Sequence, residues 1–272
     1  MLEILGQLNI EGKDKVQVAI DRLKTFVPTE GYYLAFSGGK DSVVIKALAD
    51  MAKVKYDAHY NLTTVDPPEL VRFIKEQHED VIIAYPEISM YRLIEKKKMP
   101  PIRTMRYCCA ELKEKGGEGR RVITGVRWAE SVRRKSTRTD VEYFAKSKTK
   151  KQMEIKEIFL NSDNDEKRRL MESCYAKSKF IINPIIDWLD EDVWDFIRKY
   201  NIPYCKLYDE GFKRLGCIGC PNATIRERKE QFERYPKYKQ AYIRAFDRML
   251  KNIDNTTTWK NGQDVFDRWV NQ

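Results

Sequence analysis

The sequence holds only two histidines, His59 and His78, in 272 residues. That scarcity excludes the His-rich zinc hydrolases and leaves a histidine triad or general base unsupported. Long apolar runs are also missing, and the opening MLEILGQLNI has neither a basic segment nor an extended apolar one. Neither a membrane span nor a secretion signal is expected, and a cytoplasmic location follows. Cysteines number six. In a reducing compartment such thiols serve as metal ligands or redox groups more often than as disulfides. Anionic residues are outnumbered, 41 against 51 basic, and the net charge of +10 suits a phosphate-rich partner. A hydrophobic fraction of 42% is enough for a core, so disorder is not the main state.

What is present alternates. An apolar run from Tyr32 to Phe36 ends in Ser-Gly-Gly and leads into a helical stretch, Asp41 to Lys53, with Val44, Leu48 and Met51 on one face. Strands are predicted near Tyr56 to Leu62, Val81 to Tyr85 and Arg121 to Val126, with a helix opened by Pro67 and Pro68. Strands alternating with helices predict an α/β fold, a doubly wound, mostly parallel sheet flanked by helices. Residues 127 to 156 carry Arg127, Arg133, Arg134, Lys135, Arg138, Lys146, Lys148, Lys150, Lys151 and Lys156, and read as a mobile basic loop. Order is expected again at Phe180 to Asn183, in a helix from Asp190 to Tyr200, and from Ile225 onward. Tyr238, Tyr242, Phe246 and Met249 form a stripe at helical spacing, read as core. The expected organisation is an N-terminal helical segment over 1–27, a nucleotide-binding domain over 28–220 with a basic insertion at about 127–160, and a helical extension over 221–272.

The strongest local signal is Ser37-Gly38-Gly39-Lys40-Asp41-Ser42, between that first strand and its helix. Two glycines let the backbone turn tightly and present N–H groups, the helix N-terminus adds partial positive charge, and Lys40 with two hydroxyls completes an anion cradle. The Walker A spacing is absent. The bland alternative is a glycine turn with Asp41 or Ser42 as a helix cap.

SGGKDS resembles the PP-loop of the adenine nucleotide alpha-hydrolase superfamily, whose members cut ATP between the α and β phosphates. Further stretches resemble the phosphoadenosine phosphosulfate (PAPS) reductase family: TTVDPPEL at 63–70, MPPIRTMRYCCAELKE at 99–114, TGVRWAESVRR at 124–134, and NPIIDWLDEDVWDFI followed by IPYCKLYDEGFKRLGCIGCP up to Pro221. The resemblance covers roughly residues 30 to 250 and implies a Rossmann-like PP-loop sheet. It implies that Ser37 through Ser42 hold nucleotide phosphates, with Thr64 and Asp66 beside the nucleotide and Gly125 and Arg127 at the end of another strand. Lys40, Asp41 and Arg127 are the catalytic candidates. Asp66 reads equally as a turn carboxylate before Pro67. For Arg127, a guanidinium fixed near phosphates is the better use than the first residue of a loop.

Cys217-Ile-Gly-Cys220 is a C-x-x-C pair, and Cys108-Cys109 lies upstream. Four thiolates suit an iron-sulfur cluster or zinc, and their number does not separate the two. Adjacent cysteines are awkward on one tetrahedral ion, and the CC plus C-x-x-C arrangement resembles that of iron-sulfur adenylylsulfate (APS) reductases, which implies a [4Fe-4S] cluster, with zinc as the alternative. Cys174 precedes Asn183-Pro184-Ile185, where some PAPS-reductase-like sequences carry a cysteine, and that resemblance makes it a candidate to replace Cys108 or Cys109 as fourth ligand. Cys205 reads as a small buried thiol.

PAPS and APS reductases attack their sulfonucleotide with a cysteine on a C-terminal tail, and residues 221–272 contain none. The unaltered SGGKDS also favours an ATP user. The expectation is therefore an enzyme, an ATP pyrophosphatase of sulfur transfer using ATP and Mg²⁺, with nucleic acid (DNA or tRNA) as acceptor through an adenylated intermediate. It resembles Dnd-type phosphorothioation proteins and cluster-dependent tRNA thiolases, which implies a sulfur-donor partner such as a cysteine desulfurase. Sulfonucleotide reduction or sulfate adenylylation remains open, as does a non-catalytic nucleotide-sensing or partner-binding module. One departure concerns stability: related sequences carry Ser or Thr where Leu189 stands, so Asp187 or Asp190 is expected to cap the next helix.

Overall fold

The computed structural model describes residues 14–114, 116–144, 179–253 and 258–272. Asp14 Oδ1 accepts the Val16 amide at 2.8 Å and starts α1 (Lys15–Thr25), whose Val16, Ala19, Ile20 and Leu23 are buried. β1 (Tyr32–Ala35), α2 (Lys40–Ala52) and β2 (Tyr56–Asn61) make the first strand-helix-strand unit. α3 (Pro68–Gln77), β3 (Ile82–Ala84), α4 (Met90–Lys97), α5 (Tyr107–Leu112) and β4 (Arg121–Ile123) follow. Then come α6 (Val132–Thr137), β5 (Val141–Phe144), β6 (Lys179–Ile182), α7 (Asp190–Lys199), α8 (Ile225–Arg234), α9 (Pro236–Lys251) and α10 (Gly262–Val270).

Among the described residues the strands form one sheet in the order β3-β2-β1-β4-β6-β5. β1 pairs in parallel with β2 and β4, and β4 in parallel with β6; β5 runs antiparallel to β6. The winding goes outward from β1 through β2 to β3, then resumes with β4 on the other side of β1. The C-terminal ends of β1 and β4 therefore flank a topological switch point, where an open α/β sheet binds ligands. The mostly parallel α/β sheet is the fold expected from the alternating pattern.

The chain divides into two compact units, Met1–His59 with Gln77–Ile82 and Gly116–Cys205, and Tyr60–Glu76 with Ile83–Lys115 and Lys206–Gln272. In the first, Leu34, Val44, Ile45, Leu48, Ile123, Ile182 and Phe196 are fully buried. Cys205 is buried too, as read from the sequence. In the second, the core gathers Ile94, Ile218, Tyr242, Phe246, Met249 and Trp269, so the stripe on α9 is core as expected, with Tyr238 packed against it. Among the described residues no helix is long and apolar enough to cross a membrane.

Two expectations need correction. The first part of the basic stretch is ordered: a 3-10 turn at Trp128–Glu130 leads into α6, which Ser131 caps through the Arg134 amide at 3.2 Å, and β5 adds to the sheet. The buried Asn183 amide ties this segment down by donating to Thr139 O at 2.8 Å and Glu142 Oε1 at 2.7 Å. Ladder and side-chain hydrogen bonds do there what apolar periodicity would have announced. Lys146, Lys148, Lys150, Lys151, Lys156 and Cys174 lie outside the described residues. At α7, neither Asp187 nor Asp190 acts as the cap. Leu189 holds the capping position without a side-chain acceptor, and Asp192 reaches back to accept the Leu189 amide at 2.6 Å, half of a capping box. Asp187 instead pairs with Arg22 at 2.8 Å.

Candidate nucleotide and cysteine sites

The Ser37–Ser42 turn leaves β1 at the switch point. Gly38 takes φ +71°, a left-handed conformation open to glycine at little cost, and Gly39 opens α2 in extended geometry with no side-chain cap. Ser42 Oγ donates to Gly39 O at 2.8 Å and lies 3.2 Å from Ser37 Oγ, so the two hydroxyls line the inside of the turn. The first turn of α2 thus presents backbone donors and a helix dipole to an anion.

Gly125 follows β4 and lies hard against this turn. A Cβ there would meet Asp41 Cβ at 3.0 Å and the Asp41 backbone carbon at 3.1 Å. The next functional side chain, Arg127, is only 1% exposed. Its Nε donates to Asp41 at 2.7 Å, one terminal nitrogen donates to Asp190 at 2.5 Å, and the other donates to Trp188 O at 3.3 Å. Lys40, also buried, has its Nζ 3.4 Å from Asp41 and 3.3 Å from Asp190. Burial works against the Asp190 carboxylate, but the Arg127 hydrogen bond and the Lys40 charge outweigh it and hold the carboxyl below its usual range. Burial likewise opposes the Arg127 charge, and Asp41 and Asp190 more than restore it. The structure thus brings Ser37 through Ser42, Gly125 and Arg127 together. Asp190 was missed because its place at the start of a helix read as capping.

Cys108, Cys109, Cys217 and Cys220 belong to the second unit, as do Thr64 and Asp66. Cys108 and Cys109 share a hydrogen bond that pushes the Cys108 thiol up, with burial and the charges of Cys109, Cys217 and Cys220 adding to the shift. The same bond lowers Cys109 to about 6, so one proton serves both sulfurs. Four sulfurs thus share one electrostatic neighbourhood. Among the described residues, no three His, Cys, Asp or Glu side chains close on a single metal ion.

The C-x-x-C turn is fixed by its surroundings. Ile218 donates its amide to Val65 O at 2.8 Å, the Tyr242 hydroxyl donates to Ile218 O at 3.0 Å, and the Gly219 amide donates to Gln231 Oε1 at 2.9 Å. Gly219 takes φ +73°, and a Cβ would fall 2.6 Å from Phe232 and 2.9 Å from Trp269. Thr63 Oγ1 lies 3.4 Å from Cys217 Sγ. Asp66 accepts the Thr63 amide at 2.6 Å, the turn role that had been one of its two readings. Thr64 carries φ +67°, an outlier for a β-branched residue, and its hydroxyl accepts the Met90 amide at 3.0 Å. Lys113, which sequence reasoning passed over, is held charged by the Cys217 sulfur first and the Asp66 carboxylate next, against the pull of burial. A signal existed, because Lys113 stands at i+4 from Cys109 at the end of α5. Thr64 and Asp66 also line a cavity of about 500 Å³ with Leu62, Arg72, Lys75 and Tyr238.

A mostly parallel sheet with an anion-binding turn at its switch point defines a nucleotide-binding α/β protein. The phosphoadenosine phosphosulfate reductase domain matches residues 31–223, and the chain belongs to that family. An uncharacterised protein of Methanocaldococcus jannaschii is 26% identical over 79% of this chain and 47% of its own length. A second from that organism is 34% identical over 26% of this chain and 15% of its own length. The chain thus spans about half or less of these relatives. The adenosine 5'-phosphosulfate reductase of Geobacillus thermodenitrificans is 32% identical over 37% of this chain and 33% of its own length. Among solved structures, the phosphoadenylyl-sulfate reductase of Candida auris in its phosphate complex aligns at TM-score 0.48 and 16% identity over 78% of this chain and 96% of that one. The U34-tRNA thiolase NcsA of Methanococcus maripaludis, with its [4Fe-4S] cluster, aligns at TM-score 0.44 and 14% identity over 95% and 92%.

Proposed function

We propose that this member of the PAPS reductase family is an ATP pyrophosphatase that activates an acceptor for sulfur transfer. The observation that carries the reading is the Ser37–Ser42 turn at the switch point with Lys40 and Arg127 converging on it. An acceptor oxygen attacks the α phosphorus and pyrophosphate departs. The turn's amides, Lys40 and Arg127 take up the charge that develops on the leaving group, and Gly125 lets β4 approach closely enough to bring Arg127 there. Asp41 and Asp190 offer the hard oxygen ligands that Mg²⁺ requires, and bound Mg²⁺ would neutralise phosphate charge. The test is pyrophosphate release from ATP in the presence of DNA or tRNA. R127A is expected to lower the rate about 100-fold or more with the fold intact; a rate equal to wild type refutes the assignment.

Cys108, Cys109, Cys217 and Cys220 fit a polynuclear centre better than one zinc. Adjacent Cys108 and Cys109 are awkward ligands for one zinc ion about 2.3 Å from each sulfur, whereas a cube of four irons spaces its ligands more widely. They would hold a [4Fe-4S] cluster, which supplies a site for sulfur or an electron. Anaerobic purification should return iron and acid-labile sulfide together, and C217A/C220A should lose both. Zinc in equal amount to protein would replace the cluster with a structural ion. A nucleic-acid acceptor, DNA or tRNA, is supported by the net charge of +10, and sulfur would come from a donor such as a cysteine desulfurase. Sulfonucleotide reduction is the second reading, favoured by the matched APS reductase; sulfite released from APS or PAPS would establish it.

A further inference from the structure

Four charges meet at the mouth of the Ser37–Ser42 turn, all within one compact unit. Each cation touches both carboxylates: Lys40 lies 3.4 Å from Asp41 and 3.3 Å from Asp190, and Arg127 lies 2.7 Å from Asp41 and 2.5 Å from Asp190. Two positive and two negative charges sum to zero. A bare anion entering this group is attracted by two cations and repelled by two carboxylates at similar range, so its net Coulombic gain is small. An anion that carries a divalent cation brings a partner for both signs.

Asp190 is the member placed to set this balance. Its side chain is 66% exposed while that of Arg127 is 1% exposed, so ligand and solvent reach Asp190 first. It stands at the first position of α7, outside the glycine turn. Asp192 accepts the Leu189 amide and performs the capping, which leaves the Asp190 carboxylate to the two cations. Resting on the ATP reading above, we propose that Asp190 is a specificity-determining residue. It makes anion binding at this turn depend on a divalent cation, so that the site takes a magnesium-bound triphosphate over a metal-free anionic nucleotide.

The experiment is calorimetric titration of the full chain with ATP, and separately with pyrophosphate, in excess Mg²⁺ and in EDTA. D190N and D190S are compared with wild type and with E191Q, which removes the neighbouring exposed carboxylate on the same helix turn. Wild type and E191Q should bind ATP far more tightly with Mg²⁺ than without. Both Asp190 variants should narrow that gap about tenfold, chiefly by gaining affinity for metal-free ATP and pyrophosphate. Thermal melting shows whether each variant is folded, and either folded variant suffices. If wild type binds Mg²⁺–ATP and a folded Asp190 variant keeps the same gap, the assignment to Asp190 is overturned while the nucleotide reading stands. If wild type binds neither ligand in either condition, the nucleotide reading fails and takes this proposal with it.

Discussion

Residues with two tasks in this chain were the hardest to read from sequence. Arg127 was legible as a guanidinium after a strand, because residue type and position at a strand end carry that information. Its partner Asp190 was not, since an acid at a helix start has an ordinary use and only the fold brings it within 2.5 Å of Arg127. His78 offers a separate test. Burial lowers its pKa, with the Lys46 charge adding to the effect, and its ring meets Phe36 edge-on at 4.8 Å between centroids. The folded state therefore favours neutral His78. Its contribution to stability is whole above the unfolded value near 6.5 and drains away as pH falls toward the lower folded value. Chemical denaturation between pH 7.5 and about 5 should show that loss, and H78F should flatten it. A wild-type profile in H78F would assign the slope elsewhere.

At the scale of elements, β1, α2, α3 and α7 were readable because apolar periodicity and flanking glycine or proline coincide there. β5 was not, because its place in the sheet depends on antiparallel pairing with β6 and on Asn183, neither of which leaves a local pattern. The capping of α7 depends on Asp192, which also receives Lys15 at 2.6 Å and is 2% exposed. D192A removes a helix cap and strands the Lys15 ammonium, so a loss of about 1–3 kcal/mol is expected in urea unfolding. D187A, which leaves the Leu189 amide satisfied, should cost less. Equal losses would show that the cap is not what holds the start of α7.

For the molecule as a whole, the net charge of +10 belongs to no single site. If nucleic acid is the acceptor, as proposed above, its binding is expected to weaken steeply with salt, as counterion release requires. Neutralising Lys146, Lys148, Lys150 and Lys151 together should reduce the slope of log affinity against log salt by about 0.9 for each duplex DNA phosphate that these lysines pair with. An unchanged slope would clear those lysines of the role. The CC and C-x-x-C pairs and the family resemblance grouped Cys108, Cys109, Cys217 and Cys220 at the sequence level, and the packing of the second unit, rather than spacing along the chain, puts these four sulfurs in one electrostatic neighbourhood.

That core has a consequence for how the protein ages and how it can be trimmed. Trp269, near the end of the sequence, roofs the Gly219 turn and hands its indole N–H to Pro101 O at 2.7 Å, while Arg228 grips the carbonyl of Trp269 at 2.8 Å. The last helix is thus the keystone over Cys217 and Cys220. On the cluster reading proposed above, a nick or truncation that frees this helix is expected to unseat the ligating sulfurs, so a clipped preparation would lose the cluster's colour before it lost its fold.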